Sequence, residues 1–114
     1  MPFVSVETNL AIDTEKRKQF CKALSSAAAQ AVGKPEQYVM ALMRSDATLT
    51  FGGSEEPAAF VELKSIALAE AALKEISRRL CTLIEQELGV PPARIYIEFT
   101  SASGAWWGWN GSTF

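Results

Sequence analysis

Pro2, directly behind Met1, is the residue of this chain best placed for unusual chemistry. A small second residue favours removal of the initiator methionine, and removal would leave a secondary amine at the head of the chain. An α-amino group titrates near pH ~8, and burial or a neighbouring cation lowers that value by disfavouring the charged form. Such an amine accepts a proton near neutral pH. The plainer reading keeps Met1 and lets Pro2 open a strand, a position that proline tolerates. Taken by itself, Pro2 fits that plainer reading better. The chain has no histidine, so it lacks the usual base of Ser-His and Cys-His sites and the commonest transition-metal ligand. Proton transfer then falls to carboxylates, lysine, tyrosine or the terminal amine. Cys21 and Cys81 have no second cysteine nearby to form a redox or zinc pair, and they read as small core residues of helices.

The elements that must position these groups are legible as two similar halves. Phe3-Val4-Ser5-Val6-Glu7-Thr8 alternates like a strand. A helix over about 14–32 follows, capped by Asp13 or Thr14, with Phe20, Leu24, Ala28 and Ala31 on one face and Gly33 and Pro35 as its stop. The apolar run Tyr38–Met43 reads as a buried central strand, and Thr48–Phe51 as a short strand before the Gly52-Gly53-Ser54 turn. Phe60–Ile66 then reads as a strand, 68–88 as a helix ended by Gly89 and Pro91, and Arg94–Phe99 as a last alternating strand. Phe3 matches Phe60 and Gly33-x-Pro35 matches Gly89-x-Pro91, at an offset of 56 or 57 residues. The expected fold class is therefore α+β: a single domain over 1–114 made of two pseudo-twofold βαβ repeats, about 2–57 and 58–114. Their strands would form a four-stranded mixed sheet with both helices on one face.

With 114 residues the chain suits one core. Its 11 basic and 13 acidic side chains leave a net charge of −2, which gives no electrostatic footprint for nucleic acid or a membrane surface. No apolar run reaches spanning length, and the first residues lack the basic start and apolar core of a secretory signal. The cytoplasm is the default address, with export by a signal-independent route left open. One sheet face has no helix over it, and the tail Gly104–Phe114 carries Trp106, Trp107 and Trp109 between glycines. That is more aromatic surface than a small monomer shows comfortably, so a homo-oligomer is expected.

Met1-Pro2-Phe3, Thr8-Asn9, Gly33-Lys34-Pro35-x-x-Tyr38, Phe51-Gly52-Gly53-Ser54-x-Glu56-Pro57, Ser65-Ile66, Arg94-x-Tyr96-Ile97 and Gly108-Trp109-Asn110-x-Ser112-Thr113-Phe114 occur in this order along the chain. Together they resemble the macrophage migration inhibitory factor family of the tautomerase superfamily. The resemblance implies a homotrimer whose sheets line a central barrel, with pockets at the subunit interfaces. It implies a cofactor-independent keto–enol tautomerase of phenylpyruvate-like and dopachrome-type substrates, with Pro2 as catalytic base and acid after loss of Met1. It also implies substrate-binding roles. Lys34 would hold the substrate carboxylate and keep the amine neutral, Ile66 would line the pocket, and Tyr96 would enter from the neighbouring subunit. Trp109 and Phe114 would form an aromatic rim.

The sequence departs from the family pattern at Glu98, a carboxylate where a neutral asparagine is usual, and at Trp107, which replaces a smaller aliphatic residue at the pocket mouth. Both are expected to alter substrate preference. Ala58 and Val61 stand where some members carry a two-cysteine redox motif, so thiol–disulfide chemistry is not expected there. The competing expectation is a cytokine-like trimer that binds a cell-surface receptor or an intracellular protein partner, with a weak or vestigial active site. Retention of Met1 would favour that alternative, because an amide nitrogen is no base.

Overall fold

The computed structural model describes residues Met1–Phe114. Its elements are β1 (Phe3–Thr8), α1 (Thr14–Val32), β2 (Met40–Arg44), β3 (Ala59–Ile66), α2 (Leu73–Leu88), β4 (Ile95–Ala102), β5 (Gly108–Trp109) and β6 (Ser112–Thr113). The sheet order is β2-β1-β3-β4. β1 and β2 run parallel, as do β3 and β4, while the β1–β3 pair that joins the two halves is antiparallel. The result is the α+β mixed sheet with two helices that the repeat pattern predicts.

Strand alternation decides which residues enter the core. Val4 and Val6 of β1 and Ala59, Val61 and Leu63 of β3 are buried against Phe20, Leu24 and Ala28 of α1 and Ile76, Leu80 and Ile84 of α2. Each large side chain sequestered this way contributes about 1.5–3 kcal/mol of transfer free energy. Asp13 caps α1 by accepting a hydrogen bond from the Lys16 amide at 2.8 Å. Both helices end on a glycine in the left-handed region, Gly33 at φ 69° and Gly89 at φ 74°, where a side chain would be strained.

The opposite face carries Phe3, Ser5 and Glu7, paired in register with Met40, Leu42 and Arg44 on one side and with Lys64, Glu62 and Phe60 on the other. Tyr96, Glu98 and Thr100 continue those rows on β4. Nothing in the chain covers this face, and its mixture of aromatic, aliphatic and charged groups matches the expected uncovered side.

Three local expectations are corrected. Residues 38–43 do not form a buried central strand. Tyr38 closes a three-ten turn over Glu36–Tyr38, and β2 is an edge strand whose Met40 is 67% exposed. The apolar composition signalled a buried strand, but one protomer supplies no neighbour on that side. Thr48–Phe51 is no strand either: only an isolated bridge joins Phe51 to Ser54. Side chains take over its backbone pairing. Asn9 donates to the carbonyls of Leu49, Glu55 and Glu56 and accepts from the Ala58 amide. Arg94 donates to the carbonyls of Phe51, Ser54, Glu56 and Pro57 and stacks on the Phe51 ring. Finally, the second helix begins as a separate three-ten turn, Glu70–Ala72, before α2 proper. The two cysteines lie in helices as expected but are only half-buried, and burial pushes both thiols up from their usual titration range.

Candidate active site

Pro2 is fully buried at the foot of β1. Its carbonyl accepts the Met40 amide at 3.0 Å, which fixes the start of β1 against the start of β2. Around it lies a cavity of about 260 Å³ whose walls include Met1, Tyr38, Met40, Trp107, Trp109 and Phe114. The aromatic wall is ordered by its own contacts. Trp109 stacks on Phe114 at 5.4 Å between centroids with 13° between planes, and Tyr38 meets Trp109 edge-on at 6.2 Å.

The tail reaches this place through a tight hairpin. β5 and β6 pair across Asn110 and Gly111, both in the left-handed region at φ 52° and φ 75°. An Asn-Gly pair is the preferred centre of a two-residue hairpin because both positions need positive φ. Gly104 is required for a different reason: a Cβ there would lie 2.9 Å from the Phe114 carbonyl oxygen, so a larger residue would push the last aromatic out of the wall. Trp106, by contrast, points away from the cavity and is 86% exposed. The tail does leave a large aromatic surface open, with Trp109 also 56% exposed.

Lys34 follows the end of α1, and its Nζ donates to the Ile66 carbonyl at 3.0 Å. Both residues wall a second, smaller cavity of about 120 Å³ between the end of β3 and the start of α2. Met1 walls the aromatic cavity, and its amine lies beside Lys34. The amine is held below the ordinary α-amine range, first by desolvation and then by the Lys34 ammonium beside it. A terminal amine in this position is therefore a proton acceptor at lower pH than a free one.

Within one protomer the structure unites Pro2, Trp107, Trp109 and Phe114, sets Lys34 and Ile66 next to them, and keeps Tyr96 and Glu98 apart. Tyr96 is 65% exposed and packs its ring 4.6 Å from Phe51 beside a third cavity, lined also by Leu49, Thr50 and Phe60. Glu98 stands on the open sheet face, opposite Glu62, whose carboxylate pairs with Lys64 at 3.5 Å. Sequence reading passed over Gln37 and Met40 as wall residues. The Asn-Gly hairpin signal was available for the tail, whereas Met40 depends on the Phe3–Met40 register, which no local pattern reveals.

The family model for macrophage migration inhibitory factor matches residues 1–114. Macrophage migration inhibitory factor from Rattus norvegicus is 36% identical over all of this chain and 99% of its own length, and a homologue from Brugia malayi is equally similar. The crystal structure of a homologue from Prochlorococcus marinus superposes with a TM-score of 0.91 at 40% identity, covering 98% of each chain. The factor from Trichinella spiralis superposes at 0.89 with 33% identity, covering 98% of this chain and 99% of its own. The paired βαβ repeats and the cavity at the start of β1 thus define a protein of the tautomerase superfamily. Within it, the chain belongs to the macrophage migration inhibitory factor family.

Proposed function

We propose that this protein is a cofactor-independent keto–enol tautomerase of aryl pyruvates, acting as a homotrimer with the Pro2 amine as base and acid once Met1 is removed. The observation that carries this reading is the burial of Pro2 in an aromatic-walled cavity with a cation at its edge. A ketone with an acidic α-hydrogen gives that proton to the neutral amine. The resulting ammonium returns it to the oxygen of the enolate so formed, which gives the enol. Lys34 orients the carboxylate, Ile66 contributes backbone at the strand end, and Trp107, Trp109 and Phe114 take the aryl ring. Tyr96 and Glu98, remote from Pro2 within one protomer, act from the neighbouring subunit. The test is phenylpyruvate interconversion by protein whose mass shows loss of Met1, against Pro2→Gly treated identically. Turnover is expected to fall about 10²–10⁴-fold in the variant; equal rates would remove the proline from the mechanism.

A second reading, a trimer that binds a receptor or an intracellular protein, is favoured by the exposed Trp106, which the pocket does not use. Processed protein without turnover above the Pro2→Gly variant would support it.

A further inference from the structure

Exposed side chains change rotamer freely unless something packs on them. Tyr96, at the start of β4, is 65% exposed, yet its ring rests on that of Phe51, with 4.6 Å between centroids and 46° between planes. Its aim therefore depends on how firmly Phe51 is held, and Phe51 is fastened in three ways. Gly52 and Gly53, at φ 61° and φ 77°, fold the chain back so that the Phe51 and Ser54 main chains bond to each other in both directions, at 3.0 and 3.1 Å. Arg94 donates from Nη1 to the Phe51 carbonyl at 3.2 Å. The same guanidinium lies over the Phe51 ring, 5.2 Å from its centroid. Its Nε and Nη2 hold the rest of the loop, donating to the carbonyls of Pro57, Ser54 and Glu56 at 3.0–3.1 Å. Arg94 stands two residues before Tyr96, so one short stretch of chain carries both the tyrosine and the group that secures the shelf beneath it. A cavity of about 390 Å³ flanks the two rings and gives Tyr96 room to swing away were that shelf removed.

We infer that Arg94 and Phe51 are positioning residues, which hold Tyr96 outward in the orientation in which it enters the pocket of a neighbouring subunit. The inference rests on the proposed function, which supplies that pocket and makes Tyr96 the residue shared across the interface. Its physical content is preorganisation. The stacking of an aromatic pair biases the ring toward the held orientation about three- to ten-fold. A ligand that binds through a tyrosine aimed only part of the time loses affinity by that fraction. Arginine suits the task because its planar fork ties several carbonyls while its face stacks on a ring, which a lysine cannot do.

The chain has two tyrosines, Tyr38 and Tyr96, so labelling with 3-fluorotyrosine gives each its own fluorine resonance, assigned with Tyr96→Phe. Processed protein is titrated with 3-phenylpropanoate, an aryl acid without a ketone, and the assembly of each variant is checked by sedimentation. Phe51→Leu leaves the main-chain bonds to Arg94 intact. It should move the Tyr96 resonance, leave that of Tyr38 in place, and weaken ligand binding about three- to ten-fold with assembly unchanged. Phe51→Trp, for which the flanking cavity leaves room, should restore the affinity. Arg94→Lys keeps the charge without the fork and should behave like Phe51→Leu. A Tyr96 resonance that stays put in Phe51→Leu, one that moves while affinity is unchanged, or an affinity lost only together with assembly would overturn the inference. Turnover is not the readout, so the two readings fail separately. Affinity that depends on Phe51 without tautomerisation removes the Pro2 mechanism and keeps the positioning, and tautomerisation with affinity indifferent to Phe51 does the reverse.

Discussion

The electrostatic partner of the terminal amine is the residue on which the pH behaviour of this site turns. Burial and then the Lys34 ammonium hold the Met1 amine below its ordinary range, and in the proposed processed enzyme the same ammonium would lie near the Pro2 amine. Only the neutral amine accepts a proton, so kcat/KM should fall at low pH as the amine becomes charged. Lys34→Ala removes the cation and lets the amine pKa rise. The acidic limb should then move to higher pH, with the loss relative to wild type greatest in acid, alongside a higher KM for an acid substrate. A pH–rate profile with an unmoved limb would confine Lys34 to carboxylate binding. At this scale the sequence was partly readable. Pro2, Lys34 and the tail aromatics stand out by type and motif, but the orphan hydroxyl of Ser65 does not, because an unmade hydrogen bond leaves no trace in a sequence.

Among the elements, the segment between β2 and β3 behaves unlike its composition. It reads as a short strand and a glycine turn, yet Asn9 and Arg94 hold it by its carbonyls in place of a strand ladder. Arg94→Ala should cost about 2–3 kcal/mol, since four carbonyls lose a charged donor at once. Urea unfolding checks this, and a loss under about 0.5 kcal/mol would mean that solvent replaces the arginine freely. The same side chain stacks on Phe51, which supports Tyr96, so the variant should also displace that tyrosine. The helices and the strands of the repeat were legible because periodicity and the glycine stops act locally. The clamp was not, because its donors lie about forty residues from their acceptors and only the folded chain brings them together.

For the whole molecule, the uncovered sheet face, the open edge at β2 and the exposed tail all fall on surfaces that a neighbouring copy would close. Sedimentation equilibrium should give three times the 12.4 kDa chain mass, and a monomer at micromolar concentration would remove the shared pocket. The misread central strand is instructive here: residues 38–43 carry the composition of a buried element, which the proposed trimer would bury and the single chain does not. The position of β1 imposes an order on biosynthesis. β1 lies between β2 and β3 with Pro2 buried at its foot, so its environment is complete only after residue 66 has been made. An exopeptidase needs an extended, accessible end. If Met1 is trimmed as proposed, the few seconds in which about sixty residues are synthesised, before the sheet closes, are when its end is most open to a peptidase. Purified protein that still carries Met1 should resist a methionine aminopeptidase when folded and be trimmed when unfolded, as intact mass would show. Trimming at equal rates in both states would mean that the end frays freely. Under the proposed function, the competence of each molecule would then be settled once, at birth, by a race between a peptidase and a folding sheet.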